Sequence, residues 1–341
     1  MRSFQALKLS RLQEKRKKME IKSLEESREI LDEYSQLENS TPFHTYEWLS
    51  ALQSLGTKCE IAVFENAICP LFRKKMGPIE IGFSPIFGTE TAYLGILCRG
   101  TGAQGLSEIN DYLKQLKSKI GKFFMILPPG TNTTFGSAEK AQTIITKFNQ
   151  PNADEHFKII KKGHRYCVKK AEKDGVTVEE DYSDTAIEEY HKMLTETYKA
   201  SDYNPLPKEF YTKIIQGLHA KNKIKLLFAK YQGKTIGVSA FPYSGKTIYY
   251  WTGASIKGEL AKLYPNNVIQ WHLIKWAYEN GFEKYDMLGA GIEGIRNFKL
   301  GWGGEIADYT RIYSSSSLKL AAGAYSKIGS GLKSKIRAGI R

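Results

Sequence analysis

The chain has 341 residues, more than one hydrophobic core usually organises, so two domains are expected. With 41% hydrophobic and 25% charged residues it has a globular composition, and no apolar run approaches the roughly 20 residues that span a bilayer. A formal net charge of +14 points to a polyanionic partner: nucleic acid, an anionic membrane face or a phosphate-bearing substrate.

Residues 1–39 read as a basic N-terminal arm running into a helix, which should end near Ser40-Thr41-Pro42. Residues 60–96 carry short strands in a meander, followed by a helix from Leu106 to Ile120 and a strand from Phe123 to Leu127. Loop signals at Thr131-Asn132-Thr133-Thr134 and Asn149-Gln150-Pro151-Asn152 place a boundary near residue 155. Two helices, Ala186 to Tyr198 and Lys208 to Leu218, then flank the proline-marked loop Asp202 to Pro207. Residues 224–254 repeat the meander, with Gln232-Gly233-Lys234 and Ser244-Gly245-Lys246 as its turns. Helix Asn267 to Glu279 and strand Lys284 to Leu288 follow, and a last strand runs from Asp308 to Tyr313.

A meander, a helix and a further strand occur twice in the same order, which predicts two tandem copies of one α+β unit. The expected domains are 40–154 and 155–316, each a mixed, mostly antiparallel sheet flanked by helices. Residues 317–341 alternate apolar and basic positions at helical spacing, as a basic amphipathic tail suited to an anionic membrane surface or docked on the protein itself.

The densest chemical signal lies between Tyr250 and Gly304. Strand 284–288 ends in Gly289-Ala290-Gly291, and Phe298-Lys299 stands against Gly301-Trp302-Gly303-Gly304, so one lysine sits among aromatics where backbone can approach a ligand. Lys299 is the first candidate for catalysis, Asp286 the second, and Tyr250, Trp251 and Phe298 are candidate walls of a cleft. A packed surface lysine and core aromatics are the plainer alternatives. The cysteines, Cys59, Cys69, Cys98 and Cys167, are scattered without a C-x-x-C pair, and the histidines lack ligand spacing, so no metal site is expected. The N-terminus lacks a signal-peptide core, so the expected place is the cell interior, with the tail at the inner face of the membrane.

Four segments taken together resemble the Fem-type aminoacyltransferases (FemA, FemB, FemX), relatives of the GNAT N-acyltransferases. They are Phe43-His44-Thr45-Tyr46-Glu47-Trp48, the stretch Arg165 to Val176, Tyr249-Tyr250-Trp251 with Trp271 to Ala277, and Tyr285-Asp286-Met287-Leu288-Gly289 with Phe298 to Gly304. The resemblance implies tandem GNAT-like domains, an aminoacyl-tRNA co-substrate with no tightly bound cofactor, and a cell-envelope precursor as acceptor. It implies that Lys299 stabilises the oxyanion, that Trp48 with neighbouring Tyr46 belongs to the acceptor site, and that a basic residue such as Lys199 or Lys208 meets acceptor phosphate. The family commonly has a basic residue near the tryptophan; Tyr46 and Glu47 stand there in this chain. Arg99 to Gly105 partly resembles the GNAT pyrophosphate loop, with Gln104 departing at the last position, and makes Arg99, Gly102 and Gly105 candidates for phosphate or coenzyme A.

Two further functions stay open at this point. One is an acyl-CoA-dependent N-acyltransferase acting on a sugar, lipid or peptide amine. The other is a non-catalytic basic protein that binds membrane or RNA, consistent with the stripe of Lys158, Lys161, Lys162, Arg165, Lys169, Lys170 and Lys173.

Overall fold

The computed structural model describes residues 19–76, 79–99, 106–131, 133–199 and 205–320. In chain order the strands and α-helices are β1 (Glu20–Ser23), α1 (Arg28–Tyr34), α2 (Tyr46–Gln53), β2 (Cys59–Val63), β3 (Ala67–Met76), β4 (Ile79–Ser84) and β5 (Leu97–Cys98). There follow α3 (Leu106–Ile120), β6 (Lys122–Leu127), β7 (Ser137–Lys147), α4 (Ala153–Ile159), α5 (Lys162–Lys173), β8 (Thr177–Glu180), α6 (Asp184–Lys199) and α7 (Lys208–His219). The last group is β9 (Ile224–Tyr231), β10 (Lys234–Ser244), β11 (Thr247–Tyr249), β12 (Thr252–Ser255), α8 (Pro265–Glu279), β13 (Lys284–Asp286), α9 (Glu293–Leu300) and β14 (Gly304–Tyr313).

The expected repeat is present. In the first copy β2, β3 and β4 form an antiparallel meander, α3 crosses over, and β6 returns parallel to β4, with Ile81 beside Lys122 and Ser84 beside Met125. In the second copy β9, β10 and β11 form the meander, α8 crosses over, and β13 returns parallel to β11, with Tyr249 beside Asp286. A parallel neighbour needs a crossover, and a helix supplies it in both copies.

Local chemistry explains these elements. Helix α3 buries Ile109, Tyr112, Leu113 and Leu116, one stripe at helical spacing, against Phe123, Met125 and Leu127 of β6. Helix α8 begins with Pro265 at its first turn and is apolar on most sides, burying Val268, Ile269, Trp271, Leu273, Ile274 and Ala277. Gln232 and Gly233 both adopt positive φ (49° and 75°), the two-residue turn that matches the twist of the β9–β10 hairpin. At the β10–β11 turn a Cβ on Gly245 would lie 2.7 Å from the Glu38 carbonyl, so only glycine lets the two segments meet.

The two copies share one sheet. Its strand order is β1-β2-β3-β4-β6-β14-β7-β13-β11-β10-β9-β8, with β5 on β3 and β12 on β10. The chain's last strand, β14, lies between β6 and β7 and pairs along its whole length with β7, from Gly304 opposite Thr146 to Tyr313 opposite Ser137. Strand β7 precedes the boundary expected near 155, yet its other neighbour is β13. One apolar cluster runs across both copies, from Leu31, Phe43 and Trp48 to Tyr190, Phe210 and Trp251. Where an N-terminal helix was expected, residues 20–23 instead pair with β2, and the helix is confined to α1. Residues 1–18 and 321–341, which hold most of the basic arm and tail, lie outside the described residues; the described start of the tail, 317–320, is helical.

Candidate active site

A cavity of about 400 Å³ opens where the sheet passes from the first copy to the second. Its floor is the sheet face made by Phe124 and Ile126 of β6 and Tyr309 and Arg311 of β14. One wall is the segment from Pro85 to Tyr93 that leaves β4; the other is Tyr250 and Trp251 after β11, Leu288 and Gly289 after β13, and Lys299 of α9. Each wall therefore grows from the end of a parallel strand pair.

Lys299 is 8% exposed, and its Nζ donates to the Leu288 carbonyl and, at 3.0 Å, to that of Gly289. Leu288 and Gly289 both have positive φ (50° and 56°), unusual for leucine, and this bend turns successive carbonyls toward the ammonium. The Tyr250 ring lies 5.8 Å away. An ammonium has three N–H donors, so two anchored to backbone leave one for the cavity. Burial lowers the lysine's pKa to about 8, opposed by the Asp286 charge.

Asp286 stands one layer behind the lining. Its Oδ2 accepts from the Tyr93 hydroxyl at 3.0 Å, and its Oδ1 accepts from Thr143 Oγ1 at 2.5 Å and the Leu288 N–H at 3.0 Å. Burial raises its pKa to about 6 against those hydrogen bonds. With its oxygens so occupied, Asp286 orients Tyr93 and the Leu288 bend, and holds charge near Lys299.

Helix α9 and the turn after it, 301–303, are gripped by α4 and α5. His164 Nε2 donates to the Phe298 carbonyl at 2.8 Å, its Nδ1 accepts from the Asn267 amide at 3.1 Å, and its ring stacks on Trp302 at 4.8 Å. Those partners fix a neutral imidazole, and burial lowers its pKa in agreement. His156 Nε2 donates to the Trp302 carbonyl at 3.1 Å, and the Lys161 N–H to that of Gly301 at 2.9 Å. A Cβ on Gly301 would lie 2.3 Å from His164 Nε2. The glycine-rich turn is thus packed against protein, and its tightness fixes the helix that carries Lys299.

Of the residues singled out by sequence, Lys299, Tyr250 and Trp251 meet in the cavity, with Asp286 behind them. Trp48 is fully buried: its Nε1 donates to Thr91 Oγ1 at 3.0 Å, and its ring packs 4.8 Å from Trp251, supporting the wall from behind. Tyr46 lies on α2 under Arg28, Phe298 packs on His164 and Trp302, and Lys199 is exposed at the end of α6; none lines the cavity. Lys208 is paired with Glu188. Arg99 is held by Glu33 and Tyr34 away from the cavity, while Gly102 and Gly105 lie outside the described residues. Among the described residues no group of acidic, histidine or cysteine side chains forms a metal site, and no helix is long and apolar enough to cross a membrane.

Sequence reasoning passed over Glu90 and Arg311. Glu90 sits in the wall with φ 53°, accepts from the Tyr211 hydroxyl through both carboxylate oxygens at 3.0 Å, and is held by its carbonyl to Trp251 Nε1 at 3.0 Å. Burial raises its pKa to about 7. Arg311 is fixed from two sides, Nη2 donating to the Tyr309 hydroxyl at 3.1 Å and Nη1 to Glu139 at 3.4 Å. A glutamate in a loop and an arginine in a strand carry no signal by themselves; Tyr211 and Glu139, which mark them out, are remote in the chain.

The cleft and its buried, anchored lysine sit on a doubled α+β sheet of GNAT-like architecture, and comparison with known proteins agrees on that architecture. Residues 160–303 match the acetyltransferase (GNAT) domain family. A stretch of 145 residues is 23% identical to the UDP-N-acetylmuramoylpentapeptide-lysine N(6)-alanyltransferase of Weissella viridescens, covering 42% of each protein. The structure of FemX superposes with a TM-score of 0.62 at 15% identity, over 82% of this chain and 95% of that one. The C-terminal domain of a putative lysylphosphatidylglycerol synthetase from Agrobacterium fabrum gives 0.58 at 10% identity, over 88% and 95%. At these identities the structural likenesses show the fold, which is the tandem GNAT-like fold expected. The Fem-type resemblance carried by the motifs is thus met in sequence by a relative that matches 42% of the chain, and the fold agrees with it.

Proposed function

We propose that the chain transfers an aminoacyl group from aminoacyl-tRNA to an amine of a phosphate-bearing cell-envelope precursor. The observation that carries this reading is the Lys299 ammonium, pinned by two backbone carbonyls with its remaining N–H available to the cavity. The acceptor nitrogen attacks the ester carbonyl carbon, and the carbonyl electron pair moves onto oxygen, where Lys299 donates to the oxyanion. Collapse breaks the bond from carbon to the terminal ribose oxygen. That oxygen gains a proton as the nitrogen loses one, so an amide and free tRNA leave without a covalent enzyme intermediate. Where the acceptor arrives as an ammonium, the Glu90 carboxylate takes up the extra proton.

The protein contributes orientation, worth up to about 7–11 kcal/mol in well-aligned cases, and a cation in place before charge develops. The basic face of α5 and the net charge of +14 support an RNA co-substrate. The relative's name, an alanyltransferase acting on the lysine N(6) of a UDP-N-acetylmuramoylpentapeptide, supports the acceptor class. The match to an acetyltransferase domain favours acyl-CoA as the second donor to consider.

The test is transfer of label from a pool of charged tRNAs into lipid-extractable or nucleotide-sugar acceptors. Expected is ribonuclease-sensitive transfer that falls about 10²–10³-fold in Lys299→Ala, the loss typical of a removed oxyanion donor. Product formed from labelled acetyl-CoA, with none from charged tRNA, would replace the donor.

A further inference from the structure

The cavity lining carries three ionisable groups besides tyrosines among the described residues: Glu90, Lys299 and Arg311. The reaction above occupies two, Lys299 on the oxyanion and Glu90 on the amine. It leaves a permanent cation on the floor without a task. Arg311 faces Ile126 across one strand gap and Glu139 across the other, so backbone pairing on both sides sets its position. Its guanidinium lies 5.6 Å from the Tyr309 ring centre, and its two polar contacts leave most of its five-donor fork unused. The Glu139 carboxylate, 3.4 Å away and over a third exposed, is screened by solvent and offsets only part of the charge. A fixed, half-buried guanidinium on the floor of a cavity is suited to a carboxylate or phosphate.

We propose that Arg311 is an anion subsite and that the acceptor is an amine bearing its own anionic group, amine toward Glu90 and carboxylate or phosphate on Arg311. This rests on the transferase reading for the identity of the acceptor, but the subsite is a matter of binding alone. An acceptor held at both ends presents its nitrogen from one direction, and an amine without the anion loses that second point of attachment.

Binding of small probes, followed by ligand-observed NMR without tRNA, tests the subsite separately from the transfer reaction. L-Lysine is compared with 1,5-diaminopentane, and O-phosphoethanolamine with ethanolamine. The anionic member of at least one pair should bind about tenfold tighter or more. Preference within the lysine pair assigns a carboxylate; preference within the ethanolamine pair assigns a phosphate. Arg311→Gln should erase the preference, Arg311→Lys should keep part of it, and Glu139→Gln should leave it intact. Equal binding within both pairs, no binding of either anionic amine, or a preference that survives Arg311→Gln overturns the proposal. If Arg311→Gln does not fold, the wild-type pairs and Arg311→Lys still decide. Absence of tRNA-dependent transfer would remove the donor assignment and leave the subsite result standing.

Discussion

The two copies of the meander, helix and strand unit end differently at the cavity. After β4 the first copy opens into a long segment, Pro85 to Tyr93, that becomes a wall and carries Glu90; after β11 the second copy turns at once into β12, held shut by the Tyr250 N–H on the Asp286 carbonyl at 2.9 Å. The first copy supplies room and a carboxylate, and the second supplies the buried cation and the scaffold that pins it. Duplication lets one unit keep a closed strand end while the other spreads, so a cleft forms without loosening the part that positions Lys299.

That division is tested first by removing support from the first copy. Trp48→Ala should cost about 3–5 kcal/mol in chemical denaturation, as expected for a fully buried tryptophan, while leaving the carbonyl cage of Lys299 in place. Activity per folded molecule should fall less than stability does; a complete loss of activity in well-folded protein would put Trp48 at the substrate. Second, Gly301→Ala strikes the scaffold of the second copy. Its Cβ meets the His164 ring, so about 1–3 kcal/mol of overpacking is expected, together with a disproportionate fall in kcat as α9 shifts. Unchanged turnover would mean that the grip of His164 on α9 does not set the lysine.

The smallest effect concerns pH. On the proposed mechanism, with an acceptor that arrives as an ammonium, Glu90 acts unprotonated and Lys299 protonated, so the rate should rise through about 7, fall above about 8, and lose its acidic limb in Glu90→Gln. Stability should move in the matching sense. Asp286 and Glu90 have carboxyl pKa values raised by burial, so the folded state holds protons that the unfolded chain has released, and stability declines as pH rises from about 4 to 7. Flat profiles across that range would place both carboxylates in water.

Much of this was legible in the sequence where burial follows a period. The stripes of α3 and α8 and the turns of the second meander fall where expected, because each is set by neighbours in the chain. Strand β7 was not legible: Ser137 to Lys147 has polar residues at most positions and buries only Thr143, Ile144 and Thr146, because β13 and β14 arrive later to flank it. Helix α9 was not read as a helix: its Ile295 and the preceding Ile292 are exposed, and the segment is held by His164 and Lys161. Lys299 could be found through its aromatic and glycine surroundings. Glu90 could not, since what sets it apart is Tyr211, 121 positions away, and a left-handed backbone.

The insertion of β14 between β6 and β7 has a consequence for synthesis. Until residues 304–313 leave the ribosome, the two halves of the sheet have no strand to join them through hydrogen bonds at that seam, and the floor bearing Tyr309 and Arg311 does not exist. The nascent chain therefore holds its lysine before it has a place for substrate, and a message cut short before that strand yields a protein with neither a closed sheet nor a working cleft.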